Sequence, residues 1–171
     1  ILQDQANCPF RAFARRRLQV EPLGDYHEGL SAQQRGSLLH DALYVLWGEL
    51  QSSDRLLSLD AAGTQAVCER AARQALEAVP AGLRQLVGMH CLELERRRLT
   101  ALLQEWLQLE RSRGEFLVVH REQPVELQLA GLRLKLRVDR VDELADGGRL
   151  VIDYKSGSNK LKDWLGERPS Q

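Results

Sequence analysis

The chain has 171 residues, with 24 Lys+Arg against 24 Asp+Glu, 43% hydrophobic and 28% charged residues, which excludes a disordered segment and fits one ordinary soluble domain. Zero net charge excludes a polybasic, histone-like mode of DNA binding but leaves room for a local basic cleft. No window reaches the roughly eighteen uninterrupted apolar residues of a membrane span, and the start at Ile1 carries no charged-then-apolar leader, so the expectation is a cytoplasmic fragment with no membrane partner.

In chain order, Phe10, Phe13, Ala14 and Leu18 recur at helical spacing behind Pro9, which predicts a short helix from about residue 9. Residues 19 to 30 are a connection. Ser31 is a helix-start residue, and Leu39, Ala42, Leu43, Leu46 and Leu50 form the apolar stripe of a second helix that carries His40. A third helix follows Asp60, with Val67, Ala71, Ala75 and Val79 inward, and ends at Pro80-Ala81-Gly82. A fourth and long helix is expected from about Leu83 to Arg111. Its stripe drifts from Leu83, Leu86, Val87 and Leu94 to Leu99, Leu102, Leu103 and Trp106, so it should bend or bury two sides. Cys68 and Cys91 read as small core residues on these helices, since the three cysteines show neither zinc spacing nor a disulfide framework.

After Gly114 the period changes to two. Phe116 to Glu122, Pro124 to Leu129, Leu132 to Asp139 and Leu150 to Lys155 read as consecutive strands, with turns at Ala130-Gly131 and Asp146-Gly147-Gly148. Leu132, Leu134, Leu136 and Val138 then face the core, and Asp139 lies on the opposite, polar face. The expected fold class is α/β, a small mixed sheet flanked by helices, in one domain whose helical part is 1–113 and whose sheet is 114–171.

Alternation along the last strand sets Asp153 and Lys155 on one face. A turn centred near residues 146 and 147 brings Asp139 opposite Asp153 or one residue from it. Two carboxylates facing each other cost stability unless a cation lies between them, so this register is either wrong or marks a divalent-metal site. Taken alone, an Asp-x-Lys on a hairpin is more often a solvated surface pair.

The chain carries more than that pair. Leu136-Arg-Val-Asp-Arg-Val-Asp142, a turn, then Val151-Ile-Asp-Tyr-Lys-Ser-Gly157, with Arg35-Gly-Ser-Leu-Leu-His40 upstream and Gln5-Ala-Asn-Cys-Pro-Phe10 at the start, resembles the RecB/AddB-type branch of the PD-(D/E)XK nuclease superfamily. The resemblance spans nearly the whole chain and points to a bacterial DNA repair protein. It implies a restriction-endonuclease-like core and Mg²⁺ or Mn²⁺ held by His40, Asp139, Asp153 and the backbone carbonyl of Tyr154. Asp139, Asp153 and Lys155 would be the catalytic set. It further implies DNA as substrate and a helicase-like subunit or domain as partner. Gly36, one turn before His40, would let its helix approach the sheet closely.

Two departures stand out. The family commonly has a glycine where this chain has Leu136, and it continues past the Asp-x-Lys strand with a helix carrying Gln-x-x-x-Tyr. Gln171 matches the glutamine as a DNA-contacting residue, which would make the chain a C-terminally truncated domain. Cys8 reads equally as a helix-start cysteine and, by the resemblance, as the first ligand of a 4Fe-4S cluster completed only in the full-length protein. The competing reading is a catalytically silent DNA-binding or scaffolding module of a helicase-nuclease complex.

Overall fold

The structure, a computed structural model, describes residues 5–6, 8–20, 29–129 and 132–157, those between 123 and 136 by their backbone. The first described helix, α1 (Pro9–Arg16), starts with Pro9 at the position where a missing N–H costs nothing. Helix α2 (Ala32–Leu50) begins at Ser31 with a reciprocal cap. The Ser31 hydroxyl accepts from the Gln34 N–H at 3.2 Å, and the Gln34 side chain accepts from the Ser31 N–H at 2.8 Å. Its buried face is Leu38, Ala42, Leu43, Leu46, Trp47 and Leu50; Leu39 is only half-buried, and Trp47 is the largest member of the stripe.

Past the end of α2 the chain turns into α3 (Ser53–Leu57), five residues long and too short to leave a period in the sequence. Helix α4 (Ala61–Ala78) is capped by Asp60, whose carboxylate accepts from the Gly63 N–H at 2.7 Å. The single long helix expected over 83–111 is two, α5 (Ala81–Val87) and α6 (Met89–Arg111). They part at Gly88, whose φ of 80° and ψ of 154° lie in a region open essentially to glycine alone. The drifting stripe is thus the trace of two axes, and Leu86 and Leu94, expected inside, are exposed. Helix α4 packs against both α2 and α6, and the core between them is Leu46, Val67, Cys68, Ala71, Ala75, Leu99, Leu103 and Leu107. Among the described residues no helix is long and apolar enough to cross a membrane.

Three strands follow, β1 (Phe116–Leu129), β2 (Leu132–Leu144) and β3 (Arg149–Ile152), antiparallel throughout in the order β1-β2-β3. The two strands expected before residue 130 are one. It runs through a register irregularity between Val118 and His120 and through Glu122 at φ 46°, a left-handed conformation that sharply re-aims the strand. The Ala130-Gly131 turn lies outside the described residues. The second turn forms as expected, with Gly147 at φ 80° and the Asp146 carboxylate accepting from the Gly148 N–H.

The last β2–β3 pair is Arg140 opposite Ile152, and extending that register sets Asp139 opposite Asp153. Strand β3 ends there, three residues short of the expected Lys155, and the amide of Tyr154 turns to a side chain. Its N–H is donated to the Asp139 carboxylate at 2.7 Å. Along β2 the inward alternation continues past half-buried Val138 into two charged residues, Arg140 and Asp142. Trp47 of α2 meets Phe116 of β1 edge to face at 5.7 Å, which seats the sheet on the helices.

Candidate active site

The site is built on a buried ionic cluster. Arg140 is 1% exposed. Its Nε and Nη2 donate to Asp142 at 2.6 Å each, and its Nη1 donates to Glu110 at 3.0 Å and to the Tyr154 hydroxyl at 3.3 Å. Its guanidinium lies 3.7 Å from the Trp47 ring centre. Arg113 closes the cluster, donating to Glu110 at 2.6 Å and to Asp142 at 3.0 Å, so two cations balance two carboxylates.

Charges taken out of water are tolerated only when paired and hydrogen-bonded this fully. Desolvation works against the charged form of Arg140, but the bonds to Asp142, the attraction of Glu110 and the bond to the Tyr154 hydroxyl outweigh it and raise its pKa. Burial pushes the Tyr154 phenol up to about 12, so it stays neutral. Sequence reasoning left this cluster out, although Arg140 and Asp142 stand inside the quoted motif. The available signal was alternation, which continues the Leu/Val face of β2 with two opposite charges two positions apart.

The cluster fixes the residues beside it. Asp139 precedes Arg140 on β2. Its Oδ2 accepts from the Tyr154 N–H, and its Oδ1 lies 3.4 Å from Nδ1 of His40 on α2. Tyr154 is the shared brace, with its hydroxyl on Arg140, its amide on Asp139, and its ring edge to face with His40 at 6.0 Å and Trp106 at 5.6 Å. One turn before His40, a Cβ on Gly36 would sit 3.0 Å from Ser156 Oγ, so this glycine permits the close approach of α2 to the segment after β3. His40, Tyr44, Arg121, Glu122, Asp139 and Tyr154 line a cleft whose enclosed volume is about 10 Å³. That is room for one ion or water-sized group.

Asp153 and Lys155 lie elsewhere. They pair with each other at 2.9 Å, 40% and 44% exposed, along a larger groove of about 900 Å³ that Arg35, Trp106 and Ser156 also line. Tyr154 lies on both cavities. The structure therefore brings His40 to Asp139 and Asp153 to Lys155, in adjoining cavities rather than in one cleft. Cys8 is half-buried at the start of α1 and makes no side-chain cap, Cys68 is buried and Cys91 half-buried, and Gln171 lies outside the described residues.

A divalent ion with ligand bonds near 2.1 Å places neighbouring octahedral ligands about 3 Å apart. His40 Nδ1 and Asp139 Oδ1, 3.4 Å apart, have close to that spacing; the carboxylate suits Mg²⁺ and Mn²⁺ alike, and the imidazole favours Mn²⁺, the transition metal of the two. Among the described residues no third His, Cys, Asp or Glu joins them to complete a group of three.

No curated protein matches the chain. A protein-family model does, described as the PD-(D/E)XK nuclease superfamily, over residues 2–170. The six helices and three-stranded antiparallel sheet of the described residues are consistent with the restriction-endonuclease-like fold of that superfamily, whose nucleases typically use Mg²⁺ or Mn²⁺. With nearly its whole length matched, the chain belongs to the PD-(D/E)XK nuclease superfamily.

Proposed function

We propose that the chain is a Mg²⁺- or Mn²⁺-dependent deoxyribonuclease of the RecB/AddB-type branch, hydrolysing phosphodiester bonds of DNA in bacterial repair or recombination. The observation that carries this reading is the convergence of His40 and Asp139, from a helix and a strand, on a water-sized cleft, with the Tyr154 amide holding the second oxygen of Asp139. His40, Asp139 and the Tyr154 carbonyl would hold the ion, and Asp153 would join them on leaving Lys155 and the adjoining groove. Bound there, the ion supplies Lewis-acid polarisation of a phosphoryl oxygen.

The chain's own residues do the positioning. The Tyr154 N–H fixes the rotamer of Asp139, leaving Oδ1 toward His40. Lys155 Nζ would orient the attacking water, and for that it must separate from Asp153. The pair is solvent-exposed, so separating it costs at most about 1 kcal/mol. On the resemblance of the motifs, a helicase-like subunit or domain is the partner and Cys8 a thiolate for a 4Fe-4S cluster in a longer protein, while the odd, unpatterned cysteines fit a cytoplasmic compartment.

One observation favours a second reading. Asp153 and Lys155 neutralise each other outside the His40 cleft, as they would in a silent DNA-binding module. Labelled single- and double-stranded DNA incubated with Mg²⁺ or Mn²⁺ separates the two. Cleavage by wild type that chelator stops, and that Asp139→Ala and Lys155→Ala each reduce by at least about 100-fold, supports the nuclease. Binding without cleavage under every divalent ion supports the silent module, and undiminished cleavage by Lys155→Ala removes that residue from the mechanism.

A further inference from the structure

Arg121 lies in the same cleft as His40 and Asp139 and is neither a proposed ligand of the ion nor a proposed partner of the water. It stands on β1 opposite Arg140. Its Nη1 donates to the Tyr44 carbonyl at 2.6 Å, and its guanidinium lies 4.5 Å from the centre of the Tyr44 ring. Both partners are neutral. Among the described residues no carboxylate pairs with it, because adjoining Glu122 is engaged by Arg137. Arg35, Arg70, Arg96, Arg97, Arg98, Arg113, Arg137 and Arg140, by contrast, each hold an acid.

Helix α2 is shaped around this side chain. Gly48 lies in the last turn of the helix, and a Cβ there would overlap Arg121 Nη1, so the guanidinium could not keep this seat. A cation seated on one carbonyl and one ring, with most of its donors unspent and no carboxylate bonded to it among the described residues, is free to take two anionic oxygens in a forked grip.

We propose that Arg121 is a substrate-gripping residue whose guanidinium binds a phosphodiester of a polynucleotide strand at the mouth of the His40–Asp139 cleft. The inference rests on the nuclease reading for what the cleft does, but its test does not require cleavage. A fluorescein-labelled twelve-nucleotide oligothymidylate is titrated by anisotropy in chelator at several salt concentrations. Cleavage of the same strand is followed separately with Mg²⁺.

Arg121→Gln should weaken binding by about tenfold or more, the scale of losing a charge-assisted hydrogen bond, and lower the salt slope by about 0.7, the single-strand value for one phosphate. Arg121→Lys should restore the slope but only part of the affinity. Gly48→Ala keeps the charge, displaces the guanidinium and should weaken binding as well. Thermal melts identify any variant that has lost the fold, and the Lys and Gly48 variants then decide. With cleavage, the loss should fall mainly on KM.

Wild-type binding that Arg121→Gln leaves unchanged in affinity and salt slope overturns the proposal, even if the protein cleaves DNA. Absence of wild-type binding overturns it too. Weakened binding by Arg121→Gln in a protein that never cleaves upholds the grip and removes the nuclease reading alone.

Discussion

Tyr154 does three jobs with three different parts, and they can be separated by substitution. Tyr154→Phe removes only the acceptor for Arg140 and should cost about 1 kcal/mol, the net value of one such bond. It leaves the amide on Asp139 intact, so cleavage should stay within a few-fold of wild type. A complete loss of cleavage by a stably folded Tyr154→Phe would place the phenol in the chemistry instead. Arg140→Met is a harsher change. It leaves Glu110 and Asp142 buried with only Arg113 to serve both, and urea unfolding should show a loss of about 3–5 kcal/mol, the usual cost of breaking a buried ion pair from one side.

The residues proposed for the ion and the water, His40, Asp139, Asp153, Tyr154 and Lys155, stand out in sequence because their spacing is the motif. The role of Arg140 was not, since its partner Glu110 lies thirty residues away on α6 and no local pattern joins them.

At the scale of elements, boundaries followed local chemistry wherever a cap was present. Ser31 and Asp60 announce α2 and α4, and Ser31→Ala should cost about 1 kcal/mol by stranding the first N–H groups of α2. Gly88 carries a different kind of information. Its backbone conformation excludes a side chain, so Gly88→Ala should destabilise by about 1–3 kcal/mol although a Cβ there would meet open space. A measured change within 0.5 kcal/mol, in either direction, would show that α5 and α6 can fuse. Gly88 was not read as a break because an isolated glycine inside a helical pattern is usually tolerated. The early end of β3 was equally invisible. Alternation continues through Asp153 and Lys155, while the Tyr154 amide is diverted by a side chain from a neighbouring strand.

For the molecule as a whole, two buried acids govern its behaviour in alkali. Burial pushes the Cys68 thiol up from 9.0 to about 12, and burial likewise pushes the Tyr154 phenol from 10.0 to about 12. Both groups bind their protons more tightly when folded. The unfolded chain releases them first, and stability, fully present below about pH 9, declines as pH climbs toward 12. Cys68→Ala removes the earlier of the two losses, so its melting temperature should fall less than that of wild type between pH 8 and pH 10. Equal declines would mean the thiol is not the group responsible. The helical core around Cys68 was readable as a whole from its apolar period. The sheet was readable as hairpins, but its inner face was not, because a balanced ionic cluster stands where alternation leads one to expect leucine or valine.

That cluster also orders events during synthesis. The helices come first along the chain and the strands last, so Glu110 is synthesised before either Arg140 or Asp142 exists. An acid destined to be 2% exposed has only Arg113 nearby at that stage and keeps its water until β2 arrives. The inner end of α6 therefore stays open while the nascent chain is short. When Arg140 emerges it closes the cluster, and the same stretch of polypeptide delivers Asp139 to His40. Burial of the ionic cluster and the approach of Asp139 to His40 become one late step.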